Sequence, residues 1–113
     1  MFFERAIQLA LEAEGQGNLP IGALVVLDGN IIAEGRSAIW SPELSLHRHA
    51  EMEALRQVPA QLMERSREMT LYTTLEPCLM CTGAILLHRI GRVLYGSSDT
   101  YGGAGPVFGR MPA

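Results

Sequence analysis

Residues 69–96 read MTLYTTLEPCLMCTGAILLHRIGRVLYG. Met69, Leu71, Thr73 and Leu75 alternate with Thr70, Tyr72 and Thr74, the period-two pattern of a strand. Pro77 breaks that pattern. The run 78–89 that follows is apolar almost all round, which predicts a buried helix. Residues 92–96 (RVLYG) then predict a short buried strand. Strand, helix and strand in direct succession imply that the two strands pair in parallel.

Upstream, Phe3, Ile7, Ala10 and Leu11 recur at helical spacing among Glu4, Gln8 and Glu12. This predicts an amphipathic helix over 2–14, ended by Gly15 and Gly17. Residues 21–27 are aliphatic and β-branched, Asp28-Gly29-Asn30 is a turn signal, and Ile31-Ile32-Ala33 resumes the apolar run, so a hairpin is expected. Residues 36–45 read as a loop. A helix is expected over 51–58, with Pro59 at its far end. The order is α-β-β-α-β-α-β, and a three-layer sandwich is the natural architecture for it.

At 113 residues the chain is expected to be one domain. It carries a net charge of −3, and every one of its basic residues is arginine. The acidic balance argues against broad, non-specific nucleic-acid binding, though not against a local arginine patch. No apolar run approaches the ~20 residues that span a bilayer, so no membrane partner is expected. Residues 1–15 contain Glu4, Glu12 and Glu14 and lack a basic, leader-like start. A cytoplasmic protein is the expectation. In a reducing compartment, two cysteines spaced Cys-x-x-Cys read as metal-binding or redox-active.

The metal reading has the better support. Cys78 and Cys81 stand at i and i+3, on one side of a helical turn whose N-terminus favours thiolates. His49 stands just before the other helix. One imidazole and two thiolates suit a tetrahedral zinc ion and leave its fourth position open, the signature of catalytic rather than structural sites. Glu51, two residues past His49, is placed to hydrogen-bond a water there rather than to bind the metal, and so to act as the catalytic acid–base group. Alternatives remain: a thiol–disulfide motif, two inert core cysteines, a structural zinc that recruits His47, or a Glu51 that only complements a helix dipole. His49 is preferred over His47 because only His49 has a glutamate two residues on.

The combination His49-x-Glu51 with Pro77-Cys78-x-x-Cys81 resembles the zinc-dependent cytidine/deoxycytidylate deaminase superfamily. The resemblance runs from the first helix to about Gly105. It implies an α/β/α sandwich around a mixed sheet, one zinc ion per chain, and hydrolytic deamination of an amino-substituted nucleobase. Residues 71–85, with 89–93 and 19–23, resemble the tRNA adenosine deaminase branch. The same stretch is similar to cytosine and guanine deaminases, which keeps a small-molecule substrate open. A catalytically silent deaminase-fold binding module with a structural zinc is the alternative of another class. A homodimer is implied, with each site completed near the partner.

The chain also departs from that branch. Ser37, in Gly35-Arg36-Ser37, replaces an asparagine that contacts the base in both the tRNA adenosine and the nucleobase deaminase branches, and a hydroxyl cannot make the same two-pronged contact. Tyr101 stands where tRNA-acting relatives commonly carry lysine, and a C-terminal strand and helix of relatives are expected to be absent after Ala113. Ser37, Trp40 and Asp99 are the candidate substrate contacts, Trp40 by stacking on a base. For Trp40 the alternative is covering the core, and for Asp99 it is positioning the glycine-rich loop. His88 is expected to satisfy a local hydrogen bond.

Overall fold

The computed structural model describes residues 1–97. The chain runs α1 (Phe2–Gly15), β1 (Gly22–Leu27), β2 (Asn30–Arg36), α2 (Ala50–Leu55), a 3-10 helix (Ala60–Glu68), β3 (Thr70–Leu75), α3 (Leu79–His88) and β4 (Arg92–Ser97). The strands lie in the order β2-β1-β3-β4. β1 is antiparallel to both β2 and β3, and β3 is parallel to β4, so the sheet is mixed.

β1 is buried along its whole length, and its alternation divides the core. Leu24 and Val26 face α1, where they meet Ala6 and Leu9. Ala23, Val25 and Leu27 face the other way and pack with Ala50, Ala54 and Leu55 of α2, Leu71 of β3 and Ile85 of α3. The result is the expected α/β/α layering. Asp28 and Gly29 turn the β1–β2 hairpin with φ of 53° and 77°, the left-handed pair that a two-residue hairpin loop requires. None of the described helices is long and apolar enough to cross a membrane.

Three expectations need correction. α2 ends at Leu55, short of residue 58: Gln57 and Val58 donate to carbonyls three residues back rather than four, and Val58 precedes a proline, which disfavours helical backbone there. The chain instead turns through Arg56 and Gln57 into the 3-10 helix, which the periodicity did not indicate. α3 is not buried all round: Cys81, Thr82 and Ile85 face the core, while Leu79, Met80 and Leu87 face outward, Leu87 at 81% exposure. β4 is not a buried strand either. It is the outer strand of the described sheet, α1 lies over β1, β2 and β3, and Arg92, Tyr95, Gly96 and Ser97 are exposed.

Candidate metal centre

β3 delivers the chain to Glu76-Pro77, and Cys78 becomes the N-cap residue of α3 in extended conformation. Cys81 follows in the first turn of that helix, fully buried. His49 is the N-cap residue of α2, also extended. α2 and α3 pack against each other, so two helix N-termini present their ligands to one point.

The ligand atoms of His49, Cys78 and Cys81 all lie within 4.8 Å of one another. Nδ1 of His49 is 3.5 Å from Sγ of Cys78 and 3.6 Å from Sγ of Cys81. A tetrahedral centre with Zn–S of about 2.3 Å and Zn–N of about 2.0–2.1 Å separates sulfur from nitrogen by roughly 3.6 Å. The donor set therefore fits zinc in chemistry and in spacing. Burial pushes the Cys81 thiol up, and the neighbouring Glu51 and Cys78 push it further. A thiolate there needs a cation to offset that cost, which is what a divalent metal supplies.

Glu51 is in the first turn of α2 and only 4% exposed. Burial raises its pKa. Its own main-chain N–H and hydrogen bonds with Cys81 and Thr73 oppose the rise. Thr73, fully buried on the face of β3 that carries Leu71, was not anticipated as part of this site. Its hydroxyl is 3.2 Å from the Leu75 carbonyl and also stands against the Glu51 carboxyl. The signal for it was present: a polar residue on the inward phase of the strand alternation, four residues before the Pro-Cys step.

The other candidates divide. Ser37 is 1% exposed, on the α2 side of the sheet, two residues past Gly35, and its Oγ has no partner among the described residues. Trp40 is 54% exposed, and its main-chain N–H donates to Asn18 Oδ1 at 2.9 Å. Asp99, like Tyr101, lies outside the described residues. His47 is exposed and is not part of the metal-ligating group. His88 Nδ1 is 2.7 Å from the Ala84 carbonyl, the local bond expected of it.

Residues 1–97 match the family described as the cytidine and deoxycytidylate deaminase zinc-binding region. A tRNA-specific adenosine deaminase of Bacillus subtilis is 39% identical over 104 residues, 91% of this chain and 64% of the relative. The chain thus spans less than two thirds of that relative's length. A solved structure from a study of A-to-I editing by tRNA:A34 deaminases superposes with a TM-score of 0.85 at 37% identity, covering 99% of this chain and 88% of that one. Guanine deaminase from Bacillus subtilis superposes with a TM-score of 0.74, also at 37% identity, over 88% of this chain and 64% of its own.

Proposed function

We propose, for a chain that belongs to the cytidine and deoxycytidylate deaminase zinc-binding family, hydrolytic removal of the exocyclic amino group of a nucleobase, with adenosine in tRNA as the substrate. The observation that carries this reading is the buried Glu51 carboxyl beside a three-donor cluster that fits zinc. The tRNA substrate is supported by the relatives' names and by the superposition on a tRNA:A34 deaminase.

His49, Cys78 and Cys81 would hold the zinc ion. When bound, it supplies a Lewis acid that makes water a competent nucleophile near neutral pH. Glu51 takes a proton from the attacking water, which adds to the ring carbon bearing the amino group. It passes that proton to the ring nitrogen and then moves the proton left on the added oxygen to the amino nitrogen; the C–N bond breaks, ammonia leaves and the carbon keeps the oxygen as a carbonyl. Thr73 stands against that carboxyl from β3 and favours its ionised form. Ser37, Trp40 and Asp99 are assigned to the base itself, Ser37 from the floor of the site. One zinc per chain and a homodimer complete the reading. The exposed Leu79 and Leu87 of α3 supply an apolar face for a second copy.

A second reading has one observation in its favour. A guanine deaminase shares the fold at 37% identity, the same as the tRNA:A34 deaminase structure. A free purine base is the substrate on that reading. Ammonia release by the zinc-loaded chain separates the two, measured on an anticodon stem-loop RNA and on free adenine, guanine, cytosine and their nucleosides. Release from the RNA alone is the expected result. Release from guanine alone replaces it with the second reading, and no release from any of them leaves a silent module with a structural zinc.

A further inference from the structure

A cleft of about 610 Å³, lined by none of the metal-ligating residues, opens where α1, the edge of β2 and the flank of α2 meet. Arg5, Arg36, Arg48 and Arg56 line it, half of the arginines among the described residues. Their partners are three carboxylates. Arg5 grips Glu34 through Nε and Nη2 at 2.6 and 2.8 Å, and Arg36 Nη1 reaches Glu12 at 2.6 Å. Glu53 serves two cations at once, Arg48 Nη2 at 2.8 Å and Arg56 Nε at 3.1 Å. Four guanidiniums thus hydrogen-bond three carboxylates, with Arg48 and Arg56 sharing Glu53, while Glu43 adds an electrostatic attraction on Arg48 without a hydrogen bond to it. The Nη1 of neither residue makes a hydrogen bond to a described residue, and the Arg56 side chain is 65% exposed.

We infer that this cleft docks the phosphate backbone of the RNA strand whose base enters the metal centre, with Arg48 and Arg56 taking one phosphate between them. The inference rests on the RNA reading above. Guanidinium forks with unused N–H groups are suited to phosphate oxygens. Strand addition to β2 is the weaker use of this edge, because paired charges along an edge strand blunt it. A chain of net charge −3 has no general attraction for a polyanion, so the contact has to be local. The cleft is also close enough to the chemistry. Arg48 directly precedes His49, and from His49 to Arg56 the helix advances roughly 10 Å. Glu51 and Glu53, two residues apart, point about 200° from each other around α2. A strand with its base at Glu51 carries a neighbouring phosphate over the α2 N-terminus to the Glu53 flank.

The test is binding of a fluorescently labelled anticodon stem-loop RNA to the zinc-loaded chain across a salt series, for wild type, Arg56→Gln and Arg56→Lys. Zinc content and melting temperature serve as folding controls. Arg56→Gln should weaken binding roughly fivefold at low salt and flatten the slope of log Kd against log salt by about 0.7, the share of one phosphate on single-stranded nucleic acid. Arg56→Lys should keep the slope. Unchanged affinity and slope in Arg56→Gln overturn the dock. Wild type that binds the RNA without deaminating it overturns the RNA-deaminase reading, and the variants' binding still decides the dock. Wild type that binds no RNA overturns the dock, while turnover of a free base would preserve the deaminase assignment.

Discussion

The Glu51 carboxyl stands beside the Cys81 thiol in a space almost closed to water, and each group shifts the other's proton affinity. A proton carrier and a metal-ligating atom are thus neighbours. Burial favours the protonated carboxyl, while the helix N–H and Thr73 favour the ionised one. Opposed influences of this kind suit a group that must both accept and deliver a proton within one cycle.

Glu51→Gln should therefore keep zinc at one per chain and lose about 10²–10⁴-fold in turnover. The amide preserves the side chain's volume and its contact with Thr73, but it cannot carry the proton. Metal content by atomic absorption, read beside ammonia release, separates the roles. Loss of zinc together with activity would make Glu51 a support for the ligand set instead.

Removing the metal should cost stability as well as activity, because ligand binding to the folded state adds to the free energy of unfolding. Chelator treatment should lower the melting temperature of the wild type. Cys81→Ser, which loses the buried donor, should start lower and respond little to chelator. A wild-type melting curve indifferent to chelator would detach this cluster from metal binding.

The metal centre was legible because each half of it is local. His49-x-Glu51 and Cys78-x-x-Cys81 each fit within one helical turn, and their chemistry constrains what they can do together. The mixed sheet was legible for a similar reason, since the Asp28-Gly29 turn fixes one antiparallel pair and the β3-α3-β4 succession one parallel pair. Apolarity in α3 and β4 showed that those segments want cover, but not whether the described chain provides it. The arginine cleft was beyond reach, because it joins residues from Arg5 to Gln57 that have no shared pattern along the chain.

The Arg5–Glu34 pair ties α1 to β2, and it predicts a pH dependence. The hydrogen bond from Arg5 lowers the Glu34 pKa from its ordinary 4.5. A carboxylate lowered on folding stabilises above its unfolded value, and that stabilisation is lost as pH falls through the folded one. Both side chains are about one third exposed, so the pair is worth about 0.2–1 kcal/mol. Glu34→Gln should melt slightly below wild type at neutral pH, and the gap should close as the pH drops below 4.5. A gap that widens in acid would contradict the assignment.

Gly35 couples the sheet to the metal centre by steric necessity. A Cβ at this position would run into the Ala50 carbonyl oxygen and the Ala54 amide nitrogen of α2, with the Glu53 carbonyl carbon 2.9 Å away. These are main-chain atoms, so no rotamer change relieves the clash, and α2 itself has to move. His49 and Glu51 stand at the start of that helix and must move with it. Gly35→Ala should cost about 1–3 kcal/mol in urea unfolding, as overpacking does. It should also weaken zinc binding under conditions where the variant is still folded. Gly83→Ala is the control: an added Cβ there meets nothing within 4 Å, and alanine in a helix interior should stabilise by about 0.5–1 kcal/mol. If Gly35→Ala loses stability but titrates with zinc as tightly as wild type, α2 can shift without its ligand, and the coupling between sheet and metal centre fails.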